Sequence, residues 1–325
     1  MILAGIDIGT NTLRLLIAET RHGSFREIYS DRIITRLGQN LDSTGALSRE
    51  AGERSIRALL DFSGNIRQYG ARHTAAVGTS ALRIASNAQD FISEVRQRTG
   101  LAITVITGEE EARLILLGVA RSLTRGGGKR SLPASALVVD IGGGSTEIIV
   151  KRNSGAPMYA SMPLGAVYLT ERFLKTDPPA GQDIAGLRSA VREQLTALCG
   201  EIKPDSSRVL AGTAGTVTTL AAIDQELAAY DPGRINGYVL SSGVIDGIVL
   251  KLSALTHDGR KAVRGLEQGR EDIILAGAIV AQEIMRWSGA AAMLVSDWGL
   301  REGIILDLYQ KMNAHEHAVS ANDGE

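Results

Sequence analysis

Leu137 to Val150, LVVDIGGGSTEIIV, is an apolar run that ends in an acid, turns on three glycines and resumes as a second run opening with Ser145, Thr146 and Glu147. It reads as two strands around a turn of Gly142, Gly143 and Gly144. Glycines let the backbone turn tightly and leave amide N–H groups uncovered, so such a turn can cradle anionic oxygens. Asp140 and Glu147 flank the place where a divalent metal or an attacking water must be. A weaker copy, AGIDIGTNTLRLLI from Ala4 to Ile17, matches Asp7-Ile8-Gly9 to Asp140-Ile141-Gly142. Residues 2–19 therefore read as a hairpin, with Thr10, Asn11 and Thr12 on its loop able to donate side-chain and backbone hydrogen bonds. Read alone, that loop is equally a plain turn with Asn11 in a left-handed conformation. Two such turns in one chain suggest a phosphate held from two sides.

A chain of 325 residues is comfortable for two domains. Its 37 glycines and 4% aromatic content suit an α/β protein with tight strand-to-loop turns. The 35 basic and 36 acidic residues nearly cancel, which removes any global electrostatic case for nucleic acid or anionic membranes as partners. Cys199 is the only cysteine, which excludes an internal disulfide and fits a reducing compartment. By itself it reads as a buried small hydrophobe on a helix. Asp7 interrupts the first apolar run and no basic segment precedes it, so no signal peptide is expected. The longest uncharged apolar run, Ile273 to Ala281, is too short to span a bilayer. The expected location is the cytoplasm.

Leu47 to Tyr69 carries apolar residues at helical spacing, and His73 to Val77 is a short strand leading into Gly78-Thr79-Ser80 and a helix start with Arg83 one turn in. Helix N-termini attract anions, so Arg83 is either a surface arginine or a phosphate contact. Asn87 is expected to cap a helix from Ala88 to Thr99 ended by Gly100. Strand Leu101 to Ile106 precedes Thr107-Gly108-Glu109-Glu110-Glu111, in which Thr107 and Glu110 have capping-box spacing. Capping and the helix dipole account for one or two of the three glutamates and leave the third unexplained. Leu123 to Ser135, with Gly126-Gly127-Gly128-Lys129-Arg130, reads as a surface loop. Pro163-Leu164-Gly165 turns into a helix through Phe173, and another helix spans roughly Asp183 to Ile202. Strand Arg208 to Ala211 feeds Gly212-Thr213-Ala214-Gly215-Thr216 and a helix to about Ala229, a setting for phosphate contact that lacks the ending of a P-loop. Residues 242 to 312 read as mostly helical around a strand at Ala291 to Ser296. Arg264, Arg270 and the segment Asp297 to Gly303 are their polar points of interest. His257-Asp258 reads as a loop or cap, and the last dozen residues, with His315 and His317, as a frayed tail.

Taken together, DIGTNTLRLLI (7–17), GTSALRIASN (78–87), ITGEEEARLILLGV (106–119), VVDIGGGSTEIIV (138–150), MPLGAVYLTERF (162–173), LAGTAGTVTTLAAI (210–223) and SDWGLREGI (296–304) resemble the exopolyphosphatase / guanosine pentaphosphate phosphatase family of the actin-like, sugar-kinase-like ATPase superfamily. The resemblance runs from residue 2 to about residue 310 in family order. It implies an α/β fold of two similar ribonuclease-H-like domains with the active site in the interdomain cleft. The domains expected are residues 1–121 with about 304–325, and 122–303. By matching positions, the resemblance makes Glu111 the catalytic base. It associates Asp140 and Glu147, and Asp7 with them, with Mg²⁺ or another divalent cation. Asn11, Arg83, Gly142, Gly143, Gly144 and Ser145 match phosphate contacts, Thr10 and Thr12 of the hairpin loop are taken as phosphate contacts beside them, and Arg270 matches a family arginine of the second domain. Many relatives continue into helical domains that this chain lacks, so long-chain polyphosphate binding through them is not expected and dimer contacts they supply are reduced. A homodimer stays a candidate assembly.

The implied reaction is hydrolysis of the terminal phosphoanhydride of inorganic polyphosphate, releasing orthophosphate. Guanosine pentaphosphate is the alternative substrate, since both present a linear triphosphate-like end. Two other classes compete: a kinase of the same superfamily, using the GTAGT loop for adenosine, and a non-catalytic alarmone sensor.

Overall fold

The computed structural model describes residues 1–21, 24–125, 132–198, 202, 205 and 208–322. The chain divides into two compact units, Met1–Gly118 with Leu300–Glu325, and Val119–Gly299.

The first unit is built on a five-stranded sheet of order β3-β2-β1-β4-β5. Its strands are β1 (Ile2–Ile8), β2 (Thr12–Arg21), β3 (Ser24–Ile34), β4 (His73–Gly78) and β5 (Ile103–Val105). β1 to β3 form an antiparallel meander, and β4 and β5 run parallel to β1. Leu3, Ala4, Ile6 and Ile8 of β1 are all fully buried, as a central strand covered on both faces requires. The helices are α1 (Leu41–Thr44), α2 (Arg49–Gln68), α3 (Ser80–Ile84), α4 (Ala88–Thr99) and α5 (Gly108–Arg125). Ile56, Leu59, Phe62 and Ile66 line one face of α2 and join Ile6, Ile8, Leu13 and Leu15 in the core. A C-terminal helix, Leu300–Asn322, returns to pack on β1 through the buried Ile304 and Ile305.

The second unit carries a six-stranded sheet of order β10-β11-β9-β6-β7-β8. The strands are β6 (Ala136–Ile141), β7 (Thr146–Lys151), β8 (Met158–Met162), β9 (Val209–Thr213), β10 (Val239–Ser241) and β11 (Ala292–Val295). From β8 inwards, the order β8-β7-β6-β9-β11 repeats that of the first unit, a meander followed by two parallel strands. β10 adds an antiparallel edge. Both sheets thus have the ribonuclease-H-like order, and this duplication accounts for the recurring hairpin. The helices are α6 (Ala166–Phe173), α7 (Gly181–Leu198), α8 (Ala214–Asp224), α9 (Pro232–Ile235), α10 (Ser242–Ser253), α11 (His257–Arg260) and α12 (Ile274–Ser288). α12 is buried on nearly every face, so its apolar run forms the centre of the core with α8 and α10 rather than an amphipathic surface helix.

Several expectations are corrected. Asn87 precedes α4, but its side chain makes no cap; it accepts from Leu47 N at 2.8 Å and donates to Leu47 O at 3.0 Å. A buried backbone pair offered the amide two hydrogen bonds, where capping offers one. The loop expected from Leu123 begins later, because α5 continues to Arg125; Gly126 to Arg130 lie outside the described residues, as does Cys199. No loop separates β9 from α8: Thr213 ends the strand and Ala214 starts the helix with φ +69°, a left-handed conformation that a non-glycine residue adopts only under constraint. α8 ends at Asp224, short of Ala229. The C-terminal residues read as frayed continue the last helix to Asn322, consistent with the good helix formers Ala314, Glu316 and Ala318.

Candidate active site

The two hairpins can be compared atom for atom, since Asp7, Gly9, Thr12 and Arg14 stand where Asp140, Gly142, Ser145 and Glu147 stand 133 residues later. Gly9 N donates to Thr12 O at 3.2 Å, and Gly142 N donates to Ser145 O at 3.0 Å. A Cβ on Gly9 would lie 2.9 Å from Thr12 O, closer than side chains come, and one on Gly142 a tight 3.1 Å from Ser145 O, so the first turn needs glycine and the second is crowded without it.

Carbonyl orientation then decides what each turn can bind. In the first unit, Thr10 O accepts from Gly38 N at 2.9 Å and Asn11 O from Thr35 N and Arg36 N at 3.1 and 2.9 Å. In the second, Gly142 O and Gly143 O accept from Ala166 N and Val167 N of α6, both at 2.9 Å. A trans peptide points its C=O and the following N–H in opposite directions. The N–H groups of Asn11, Gly143 and Gly144 therefore face away from the segments that hold the carbonyls, and these are the groups an anion needs. Thr10, Asn11, Thr12 and Ser145 are each buried around these turns. Asn11 Nδ2 donates to Thr12 Oγ1 at 3.4 Å, so the asparagine side chain acts within the turn.

The acids differ between the hairpins. Asp7 lies across the strands from Arg14, with Arg14 Nη1 3.7 Å from its carboxylate. Burial pushes its pKa up to about 6, against the pull of Arg14 and Arg301 and with some help from the charge of Glu302. Asp140 instead lies across from Glu147, in register and on one face of the sheet, with the two acids 7% and 1% exposed. Ser161 donates to Glu147 Oε1 at 2.8 Å. Thr213, beside Asp140 in the parallel register, donates its hydroxyl to Trp298 O at 2.9 Å.

Among the described residues, no group of three or more His, Cys, Asp or Glu stands together as a protein cage for a metal. The paired Asp140 and Glu147 fit a different mode. Mg²⁺ prefers hard oxygens, keeps several waters and binds through one or two carboxylates plus substrate phosphates. Asp7, flanked by two guanidiniums, has less to offer a cation.

α5 presents its three glutamates differently. Thr107 Oγ1 accepts from Glu110 N at 3.1 Å, as the cap spacing predicts, but the Glu110 carboxylate turns to Arg113 rather than back to the cap. Arg113 also reaches Asp307 at 2.5 Å. Glu109 is exposed. Glu111 is buried, and its Oε2 receives Arg83 Nη1 at 2.6 Å, while the same nitrogen donates to Ile106 O at 3.1 Å. The structure thus joins Glu111 to Arg83, 28 positions earlier. In the second unit Arg270 is 5% exposed, its Nε donates to Glu267 at 2.7 Å, and its guanidinium lies on the first turn of α8 against Gly215. Arg264 is exposed, and His257 opens α11 behind the cap of Thr256.

Three groups lay in segments the sequence singled out, but nothing in the sequence linked them to the hairpin acids. Arg301 and Glu302, which bond each other at 2.6 Å, act electrostatically on Asp7. Thr213 sits beside Asp140. The segment Asp297 to Gly303 was a polar point of interest, but no spacing links it to residue 7.

The Ppx/GppA phosphatase family profile matches residues 16–312. Exopolyphosphatase 2 of Mycobacterium tuberculosis is 35% identical over 319 residues, covering 94% of this chain and 98% of that protein. A crystal structure of the Aquifex aeolicus Ppx/GppA family member is 34% identical and covers 96% of this chain and 99% of that one, with a TM-score of 0.79. An exopolyphosphatase structure from Cytophaga hutchinsonii, 25% identical, superposes with a TM-score of 0.84 over 96% of this chain and 98% of that one. With the duplicated sheet, its paired glycine hairpins and a family match over nearly its whole length, the chain belongs to the Ppx/GppA phosphatase family.

Proposed function

We propose that this protein is a phosphoanhydride hydrolase acting on inorganic polyphosphate, removing the terminal phosphate as orthophosphate. The observation that carries the reading is Glu111, a buried carboxylate that capping does not explain and that Arg83 holds in one orientation. A water whose proton passes to Glu111 attacks the terminal phosphorus, the new P–O bond forms as the bridging P–O bond breaks, and the shortened chain leaves with the displaced oxygen. Phosphoryl transfer depends chiefly on positioning and electrostatics. To the first unit we assign water activation by Glu111, with Arg83 orienting it and facing the phosphate, and anion binding by Thr10, Asn11 and Thr12. To the second we assign the Gly142–Gly144 amides, Ser145 and Arg270 as phosphate contacts. Mg²⁺ or a like cation, held by Asp140 and Glu147, neutralises charge on the phosphoryl oxygens when bound. The names of the similar exopolyphosphatases support polyphosphate as the substrate.

The test is a phosphate-release panel of short and long polyphosphate, guanosine pentaphosphate, ATP and GTP, each with and without Mg²⁺. Release from short polyphosphate that requires the cation is expected. Release from guanosine pentaphosphate alone replaces the substrate, and ATP-dependent phosphorylation of a polyol replaces the reaction.

A further inference from the structure

Arg260 ends α11 and is 3% exposed. A guanidinium cannot shed its charge in a protein, so burying one is costly unless its donors are used. Those of Arg260 go to main chain: Nε donates to Leu252 O at 3.0 Å, in the last turn of α10, and Nη1 to Glu271 O at 3.3 Å. Nη2 is buried without a hydrogen-bond partner. An apolar side chain of similar size would fill this volume without the desolvation cost. What it could not do is hold two carbonyls at once.

The second of those carbonyls belongs to the residue after Arg270. Arg270 is the joint between a tight turn and α12. Its N–H donates to Glu267 O at 3.2 Å, and its carbonyl accepts from Ile273 N and Ile274 N at 3.1 and 2.9 Å. Gly269, with φ +88°, closes the turn and donates to Glu271 Oε2 at 2.6 Å. The turn sets the Arg270 guanidinium flat on α8, so close that a Cβ on Gly215 would lie 2.5 Å from both terminal nitrogens. A cation beside the positive end of a helix is unfavourable by itself, so the posture must be held by other contacts. Glu267 holds the side chain; Arg260 holds the backbone.

We propose that Arg260 is a positioning residue: its grip on the Leu252 and Glu271 carbonyls sets the turn that holds Arg270 against α8, ready for a phosphate. The inference rests on the phosphohydrolase reading above, in which Arg270 contacts the phosphate. Arg260→Lys keeps the charge with one reach, and Arg260→Gln keeps a donor with no charge to bury. Each is expected to raise KM for inorganic tripolyphosphate about tenfold, the size of one charge-assisted hydrogen bond, while kcat changes by less than about threefold. Gly215→Ala, which pushes the guanidinium aside without touching Arg260, is expected to do the same. In an Arg270→Ala background, Arg260→Gln is expected to add nothing to KM, because contacts acting through one group are not additive. An unchanged KM in folded Arg260 variants overturns the proposal, as does an additive double variant. Failure of both variants to fold overturns it too, by making Arg260 a folding residue. If the wild-type chain releases no phosphate, the functional reading fails instead, and the same cycle is read as tripolyphosphate binding by calorimetry, which needs no turnover.

Discussion

Glu111 is where one side chain's surroundings separate chemistry from architecture. Its neighbours Glu109 and Glu110 are exposed or paired with Arg113, while it alone is buried against Arg83. Glu111→Gln preserves shape and is expected to lower kcat at least about 100-fold, since a general base contributes about 10²–10⁴ in rate. The check is steady-state phosphate release by variant protein whose circular dichroism shows it folded. Near-normal turnover would sink the assignment. Asp7 is a residue held at a cost. Its folded pKa of about 6 stands above the ordinary aspartate value of 3.8, so the folded chain binds its proton more tightly than the unfolded chain. The cost fades as pH falls through 3.8, below which both states are protonated, and grows to about 3 kcal/mol as pH rises through 6. Without divalent cations, Asp7→Asn is expected to raise the urea midpoint at pH 7.5 and to leave it unchanged at pH 3.5. Equal gains at both pH values would contradict this account.

At the scale of elements, α7 and α12 are joined by one buried acid. Glu283, 2% exposed on α12, accepts from Arg188 at 2.5 Å and Arg192 at 2.7 Å on α7, and from Arg286 one turn on at 2.8 Å. Burial pushes its pKa up, but the hydrogen bonds from Arg192 and Arg188 outweigh it and the pKa falls below the usual glutamate range. The stabilisation is therefore present above the unfolded glutamate pKa of about 4.5 and lost as pH falls through the folded value. Glu283→Gln is expected to cost about 3 kcal/mol at pH 7, and that difference should shrink below pH 4, as followed by circular dichroism during urea unfolding. Asn87 ties the start of α4 to Leu47 just before α2, two helices that pack together. Losing both hydrogen bonds in Asn87→Ala should lower stability by about 2 kcal/mol in urea unfolding; a change below about 0.5 kcal/mol would show that the two bonds do not hold the helices together.

For the whole molecule, no helix among the described residues is long and apolar enough to cross a membrane. The duplication of a ribonuclease-H-like sheet gives each unit its own hairpin, and among the positions at which the two copies differ is the one across from the acid: Arg14 faces Asp7 where Glu147 faces Asp140. Glu147→Gln, which removes the charge and keeps the shape of this buried side chain, is expected to abolish Mg²⁺-dependent phosphate release in protein that still folds. Retained Mg²⁺-stimulated activity would separate Glu147 from the cation. Much of this was legible in the sequence because strand period, glycine turns and helix starts are local: a hairpin, an acid before a turn or a cap spacing is set by residues a few positions apart. The two hairpins, α2, α4, the Thr107 cap and the family resemblance follow from such patterns. What only tertiary structure decided depends on atoms brought together from far along the chain: which glutamate meets Arg83, which carbonyls anchor each glycine turn, that Arg301 and Glu302 bear on Asp7, and that Arg260 grips the residue after Arg270. Burial and hydrogen-bond partnership belong to the packed chain, and no spacing of residue types encodes them.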